Sequence, residues 1–184
     1  MRRRFAAAAI LTLLALAPAV PAAAGEFKLT SSQIADGGAL GSAQVMAGFG
    51  CTGGNRSPAL AWSGAPAGTK SFAVTVYDPD APTGSGWWHW VLYNLPADLT
   101  ALPENAGSGA GLPTGAVQGR TDYGTAGFGG ACPPPGPAHR YVFTVHALKV
   151  ERLELPADAS AAMIGFMTRM NTLGTATLTA TYGR

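Results

Sequence analysis

Fourteen residues, Tyr77 to Trp90, hold two carboxylates (Asp78, Asp80), two prolines (Pro79, Pro82), one imidazole (His89) and three large indoles (Trp87, Trp88, Trp90). Fifty residues after His89 comes a second imidazole, His139, followed two positions later by the phenol of Tyr141. Imidazole and phenol donors can hold an anion. A carboxylate behind an imidazole orients the ring and favours its charged form. The same groups could in principle make a metal site from His89, His139, Asp78 and Asp80. No H-x-x-x-H or H-x-H pair occurs, however, and no metal is expected. A serine-hydrolase reading lacks a G-x-S-x-G motif, since Gly84-Ser85-Gly86 is only a short turn.

Strand parity decides which of these groups can meet. Lys70 to Asp78 alternates, with Phe72, Val74 and Val76 on one face, so Asp78 continues the core side at the end of the run. Pro79 and Pro82 restrict the backbone around Asp80 and fix the exit from the strand. His89 precedes an apolar run, Trp90 to Leu95, and by simple alternation falls with Val91, Tyr93 and Leu95. His139 and Tyr141 share a face with Phe143 and Val145. His146 falls on the other face with Val142 and Thr144, where a structural role is expected. The indoles of Trp87, Trp88 and Trp90 are divided between pocket wall and core.

The surrounding elements read as mainly β. Strands are expected at 27–31, 57–62, 70–78, 90–95, 140–149 and 175–182, joined by frequent glycine and proline turns. One helix is expected near 158–173, capped by Asp158, with Met163, Phe166, Met167 and Met170 at helical spacing. Residues 97–138 are loop-rich, and so long an irregular stretch points to a functional excursion. The sum is an antiparallel β-sandwich with one or two short helices.

Residues 1–24 read as a secretory signal peptide: Arg2-Arg3-Arg4, an apolar run from Ala6 to Leu16, and Ala22-Ala23-Ala24 as cleavage site. Export to the periplasm or the extracellular medium follows as the expectation. Residues 25–184 then form one domain of 160 residues, long enough for a full core. Cleavage takes twelve basic residues to nine against ten acidic, so no basic field remains for nucleic acid. The apolar leader run is too short for stable membrane insertion. In an oxidising compartment the two cysteines, Cys51 and Cys132, favour one disulfide over two buried free thiols.

Two blocks carry a family resemblance. One is Asp78-Pro79-Asp80-Ala81-Pro82 followed by Trp87-Trp88-His89-Trp90. The other runs from Gly127-Phe128-Gly129-Gly130-Ala131-Cys132-Pro133-Pro134 to His139-Arg140-Tyr141. With these the chain resembles the phosphatidylethanolamine-binding protein family, specifically its bacterial Raf-kinase-inhibitor-like branch. The resemblance implies a Greek-key β-sandwich and a pocket for phosphate-like or carboxylate anions, including phospholipid head groups. Its wall here would be Asp78, His89, His139 and Tyr141, shaped by Pro82 and Trp87 and closed by Cys132 and Pro133. Relatives often carry glycine where Cys132 stands. A Cys51–Cys132 bridge would lie at the pocket rim, and Arg140 is expected in an ion pair. Family members regulate kinases in animals and flowering in plants, and one in yeast inhibits a serine carboxypeptidase. The expected function is non-enzymatic anion binding, without cofactor. The alternative is a secreted protease or hydrolase inhibitor or interaction module contacting its partner through residues 97–138, and the third is a weak acid–base hydrolase using His89 or His139.

Overall fold

The structure, a computed structural model, describes residues 25–184. The signal-peptide expectation for residues 1–24 lies outside the described residues.

The described residues form ten strands: β1 (Lys28–Thr30), β2 (Ala47–Gly48), β3 (Cys51–Thr52), β4 (Leu60–Ser63), β5 (Ser71–Asp78), β6 (Trp87–Pro96), β7 (Ala101–Leu102), β8 (Val117–Gln118), β9 (His139–Leu148) and β10 (Thr172–Tyr182). Among the described residues there is one α-helix, α1 (Ala161–Asn171). The expected mainly-β fold is therefore observed. A five-stranded antiparallel sheet has the order β10-β9-β5-β6-β8, and a three-stranded sheet the order β1-β4-β7. Their facing side chains form one core. Leu29, Leu60, Trp62 and Leu102 come from the small sheet, and Phe72, Val74, Val76, Phe143 and Val145 from the large one. The hairpin β2–β3 stands apart as a two-stranded sheet.

β5 and β9 pair in unbroken register from Ser71↔Leu148 to Tyr77↔Val142. Alternation therefore holds in both, and Asp78, His139 and Tyr141 share the inner side as expected. β6 departs from alternation. Trp87 and Trp88 face Asp78 and Tyr77, but Val76 faces Trp90, so His89 is an extra residue in the ladder. This β-bulge keeps both His89 and Trp90 inside. A second irregularity between the Leu92 and Leu95 pairings holds Asn94 at φ 60°. Val91 and Tyr93 consequently face the helix side, while Leu92 and Leu95 face the sandwich interior. The expected grouping of His89 with Val91 and Tyr93 is corrected by these two bulges.

α1 covers the outer face of the large sheet. Its N-cap is Ser160, whose Oγ accepts from Met163 N at 3.2 Å, rather than Asp158. The buried stripe is Ala161, Ile164 and Thr168. Met163, Phe166 and Met170 point outward, at 44, 61 and 59 % exposure. Ile164 fills the sheet side, and the helix approaches closely beside it: a Cβ on Gly165 would sit 2.8 Å from the Trp88 ring.

Candidate functional site

The inner ends of β5, β6 and β9 meet in a cavity of about 180 Å³. All eight residues expected at the pocket line it: Asp78, Pro82, Trp87, His89, Cys132, Pro133, His139 and Tyr141. Phe49, Ala81, Thr83, Tyr123 and Pro134 complete the lining.

Asp78 ends β5, 3 % exposed, with both oxygens in use. Oδ1 accepts from Asp80 N at 2.8 Å, which closes the Pro79 turn, and Oδ2 accepts from His139 Nδ1 at 2.8 Å. A carboxylate only accepts, so Nδ1 carries the proton, and His139 Nε2 has no partner among the described residues. Asp78 thus fixes the orientation of the His139 ring.

His89 is held at its bulge by Gly129. The ring Nδ1 donates to Gly129 O at 2.8 Å, and Gly129 N donates to His89 O at 2.8 Å. Its Nε2 is likewise without a partner among the described residues. Burial pushes the imidazole below its ordinary pKa, against the opposing pull of the Gly129 carbonyl and the Asp78 charge. His89 is therefore neutral at pH 7, with Nε2 an acceptor until a proton arrives.

Two further polar groups of the lining residues are buried without partners, Tyr141 Oη and Trp87 Nε1. A buried donor left unpaired costs free energy, and native folds seldom keep one without a reason. Burial, reinforced by the Asp78 charge, raises the Tyr141 phenol, so it stays a protonated donor. Only Trp87 of the three neighbouring indoles lines the cavity. Trp88 stacks outward against Tyr77 at 4.7 Å, and Trp90 is core, its Nε1 donating to Gln118 Oε1 at 2.7 Å.

Asp80 does not enter the cavity. Arg140 binds it through Nε and Nη2 at 2.9 and 2.7 Å, and that hydrogen-bonded pair holds the carboxyl at about 2. The expected ion-pair role of Arg140 is what the structure contains.

The 97–138 stretch forms the second wall. Its glycine run packs beneath Tyr123, where a Cβ on Gly129 would collide with the ring. Asn55 clamps the run by accepting from Gly130 N at 2.7 Å and donating to Phe128 O at 3.3 Å. Tyr123 lies 5.3 Å from Trp87 and 5.5 Å from both His89 and Phe49. Burial raises its phenol to about 12, and it donates to Gly130 O at 3.0 Å. Sequence reasoning misses Phe49 and Tyr123, because neither lies on a patterned strand. A bulky residue between glycines next to a cysteine, Gly48-Phe49-Gly50-Cys51, was the available signal for the first. The disulfide Cys51–Cys132 is present and ties the β2–β3 hairpin to this rim. No group of His, Cys, Asp or Glu among the described residues is arranged to hold a metal ion.

A β-sandwich whose strand ends gather two one-sidedly bonded imidazoles and an orphaned phenol matches a known class. Residues 30–183 fit the family model described as phosphatidylethanolamine-binding protein, and the chain belongs to that family. Among its relatives is YbcL of Escherichia coli (strain K12), 57 % identical over 164 residues, covering 88 % of this chain and 90 % of that protein. YbhB of the same organism is 54 % identical over 156 residues, covering 84 % of this chain and 99 % of YbhB. The crystal structure of E. coli YbcL, described as a new member of the mammalian PEBP family, superposes with TM-score 0.84 at 56 % identity, over 87 % of this chain and 99 % of that one. A homologue from Chlamydia trachomatis, CT736, gives TM-score 0.72 at 31 % identity, over 86 % of this chain and 97 % of that one.

Proposed function

We propose that this protein binds a small anion, phosphate-like or carboxylate, in the cavity between His89, His139 and Tyr141, without chemical turnover. The observation that carries the reading is the Tyr141 hydroxyl, a buried donor with no partner, in a cavity flanked by two imidazoles that each keep Nε2 unpaired. An oxyanion accepts from Tyr141 Oη directly, and from either Nε2 once that nitrogen carries a proton. Binding rather than catalysis is supported by the remaining lining groups. Thr83 Oγ1 donates to Gly86 O, and Cys132 is held in the disulfide, so neither is an activated nucleophile.

Anion binding is coupled to protonation. A bound anion offsets the burial that keeps His89 neutral, so its pKa rises on binding and affinity rises as pH falls below the ordinary histidine value. Titration calorimetry with inorganic phosphate at pH 5.5 and pH 8 tests this. Tighter binding at pH 5.5, with net proton uptake, is expected. No heat at millimolar phosphate with a folded protein overturns the reading.

Export belongs to the same proposal. The disulfide supports an oxidising compartment, and a secreted protein whose mass begins at Gly25 is the expected observation. The partner-surface alternative draws less support from residues 97–138 than from α1. Phe128 to Cys132 are packed against the cavity wall, whereas Met163, Phe166 and Met170 stand exposed on one side of the helix.

A further inference from the structure

The hairpin β2–β3 turns at Phe49 and Gly50, with φ 52° and 82°. A two-residue turn with both central residues left-handed calls for Asn-Gly or Gly-Gly. A bulky side chain in that conformation is strained and is an outlier for its type. Burial does not explain it, because Phe49 is 70 % exposed. The chain therefore keeps a strained aromatic residue in water, and such strain gathers at functional sites.

The tip is also fastened where it stands. Cys51 next to it is bonded to Cys132. Arg184 Nη1 donates to Gly50 O at 3.4 Å and Arg184 Nε to Pro133 O at 2.6 Å, which ties the tip to the opposite rim. Met46 N donates to Ala131 O at 3.0 Å at the base of the hairpin. The Phe49 ring is thereby held 5.5 Å from Tyr123, tilted by 56°, at the cavity mouth.

The mouth differs in chemistry from the floor. Tyr123, Trp87, Pro82, Pro133 and Pro134 line the same cavity as Phe49, all of them ring side chains. The nearby carboxylates are committed: Asp78 to His139, Asp80 to Arg140, and Asp122 to Trp88 N at 2.8 Å. Asp122 is the one of these three without a cationic or imidazole partner, and it is absent from the cavity lining. The cavity of about 180 Å³ is also roomy for a lone oxyanion, since an apolar cavity of about 150 Å³ accommodates a benzene ring.

We propose that the site selects anions carried on an aromatic ring, and that Phe49 is the residue that determines this specificity. The inference rests on the anion-binding reading. The anionic head meets His89, His139 and Tyr141, while the ring packs between Phe49 and the Trp87–Tyr123 pair in tilted or edge-to-face contact.

Calorimetry with methyl phosphate and phenyl phosphate at pH 5.5, on the wild type and on Phe49→Ala and Phe49→Asn, tests it. The wild type should bind phenyl phosphate about tenfold more tightly than methyl phosphate. Both variants should lose that preference, read in each protein as the ratio of phenyl to methyl phosphate affinity. Phe49→Asn should also melt higher than wild type, because asparagine suits the left-handed turn. Phe49→Tyr, which keeps the ring, should keep the preference. Methyl phosphate binding with no phenyl preference, or a preference that survives Phe49→Ala in a folded protein, overturns the inference and leaves the anion reading standing. Failure of both probes to bind folded wild type overturns both.

Discussion

His139 and His146 lie on the same strand, seven residues apart and on opposite faces, and they are put to different uses. His139 sits at the end of β9 with a carboxylate behind it and an unpaired nitrogen in a cavity. His146 sits near the other end of β9, beside Arg169 of α1, its Nε2 paired with Thr75 Oγ1 at 3.0 Å and its Nδ1 buried without a partner. Burial, helped by the Arg169 charge, pushes His146 down to about 4. One imidazole has an anion for company and the other a cation. The sheet is the same under both. What differs is the covering layer, which is a helix near one end of β9 and loops at the other. The loop-covered end gathers two imidazoles and an unpaired phenol around one cavity, whereas the helix-covered end sets His146 beside the Arg169 charge.

The comparison breaks most visibly in acid. The unfolded chain takes a proton at His146 near pH 6.5, while the folded chain resists it to about pH 4. Stability is therefore complete above pH 6.5 and falls as pH drops through that window, by up to about 3 kcal/mol. Denaturant melts of wild type and His146→Gln should show the variant losing markedly less stability between pH 7 and pH 4. Equal losses would place the acid sensitivity elsewhere. His89 acts in the same direction in the free protein, and added phosphate should restore its share.

The next effect is on affinity. Tyr141→Phe removes one donor to the anion and should weaken phosphate binding about tenfold by calorimetry. The same change should not lower the melting temperature, because it deletes an unpaired buried hydroxyl. His146→Gln should leave phosphate affinity unaltered. An equal loss in both variants would erase the distinction between the two faces.

The smallest effect is at the pocket's outer support. Asp80→Asn breaks the exposed pair with Arg140, and exposed pairs contribute little, about 0–1 kcal/mol. Thermal melting should shift by only a few degrees, and phosphate affinity should stay within about twofold.

Much of this site was readable from residue order, for a physical reason. β5 and β9 pair without a register shift, so alternation placed Asp78, His139 and Tyr141 together. In β6 the same rule failed. Two bulges, at His89 and Asn94, reset the parity, and strict alternation does not anticipate an inserted residue. His89 still points inward because the bulge holds it there together with Trp90. The helix misled in a different way. The helical spacing of Met163, Phe166, Met167 and Met170 marked the helix but not its buried face, which is Ala161, Ile164 and Thr168 with Met167 packed beside them. Phe49 and Tyr123 belong to a turn and a loop, whose placement depends on the disulfide and on the glycine run rather than on periodicity.

The most direct test is long-range ¹H–¹⁵N NMR of all three imidazoles during a phosphate titration at pH 6. The account predicts that the Nε2 signals of His89 and His139 move toward protonated-nitrogen values and saturate together, while His146 stays still. Unmoved His89 and His139 signals, or a response at His146 instead, would contradict it.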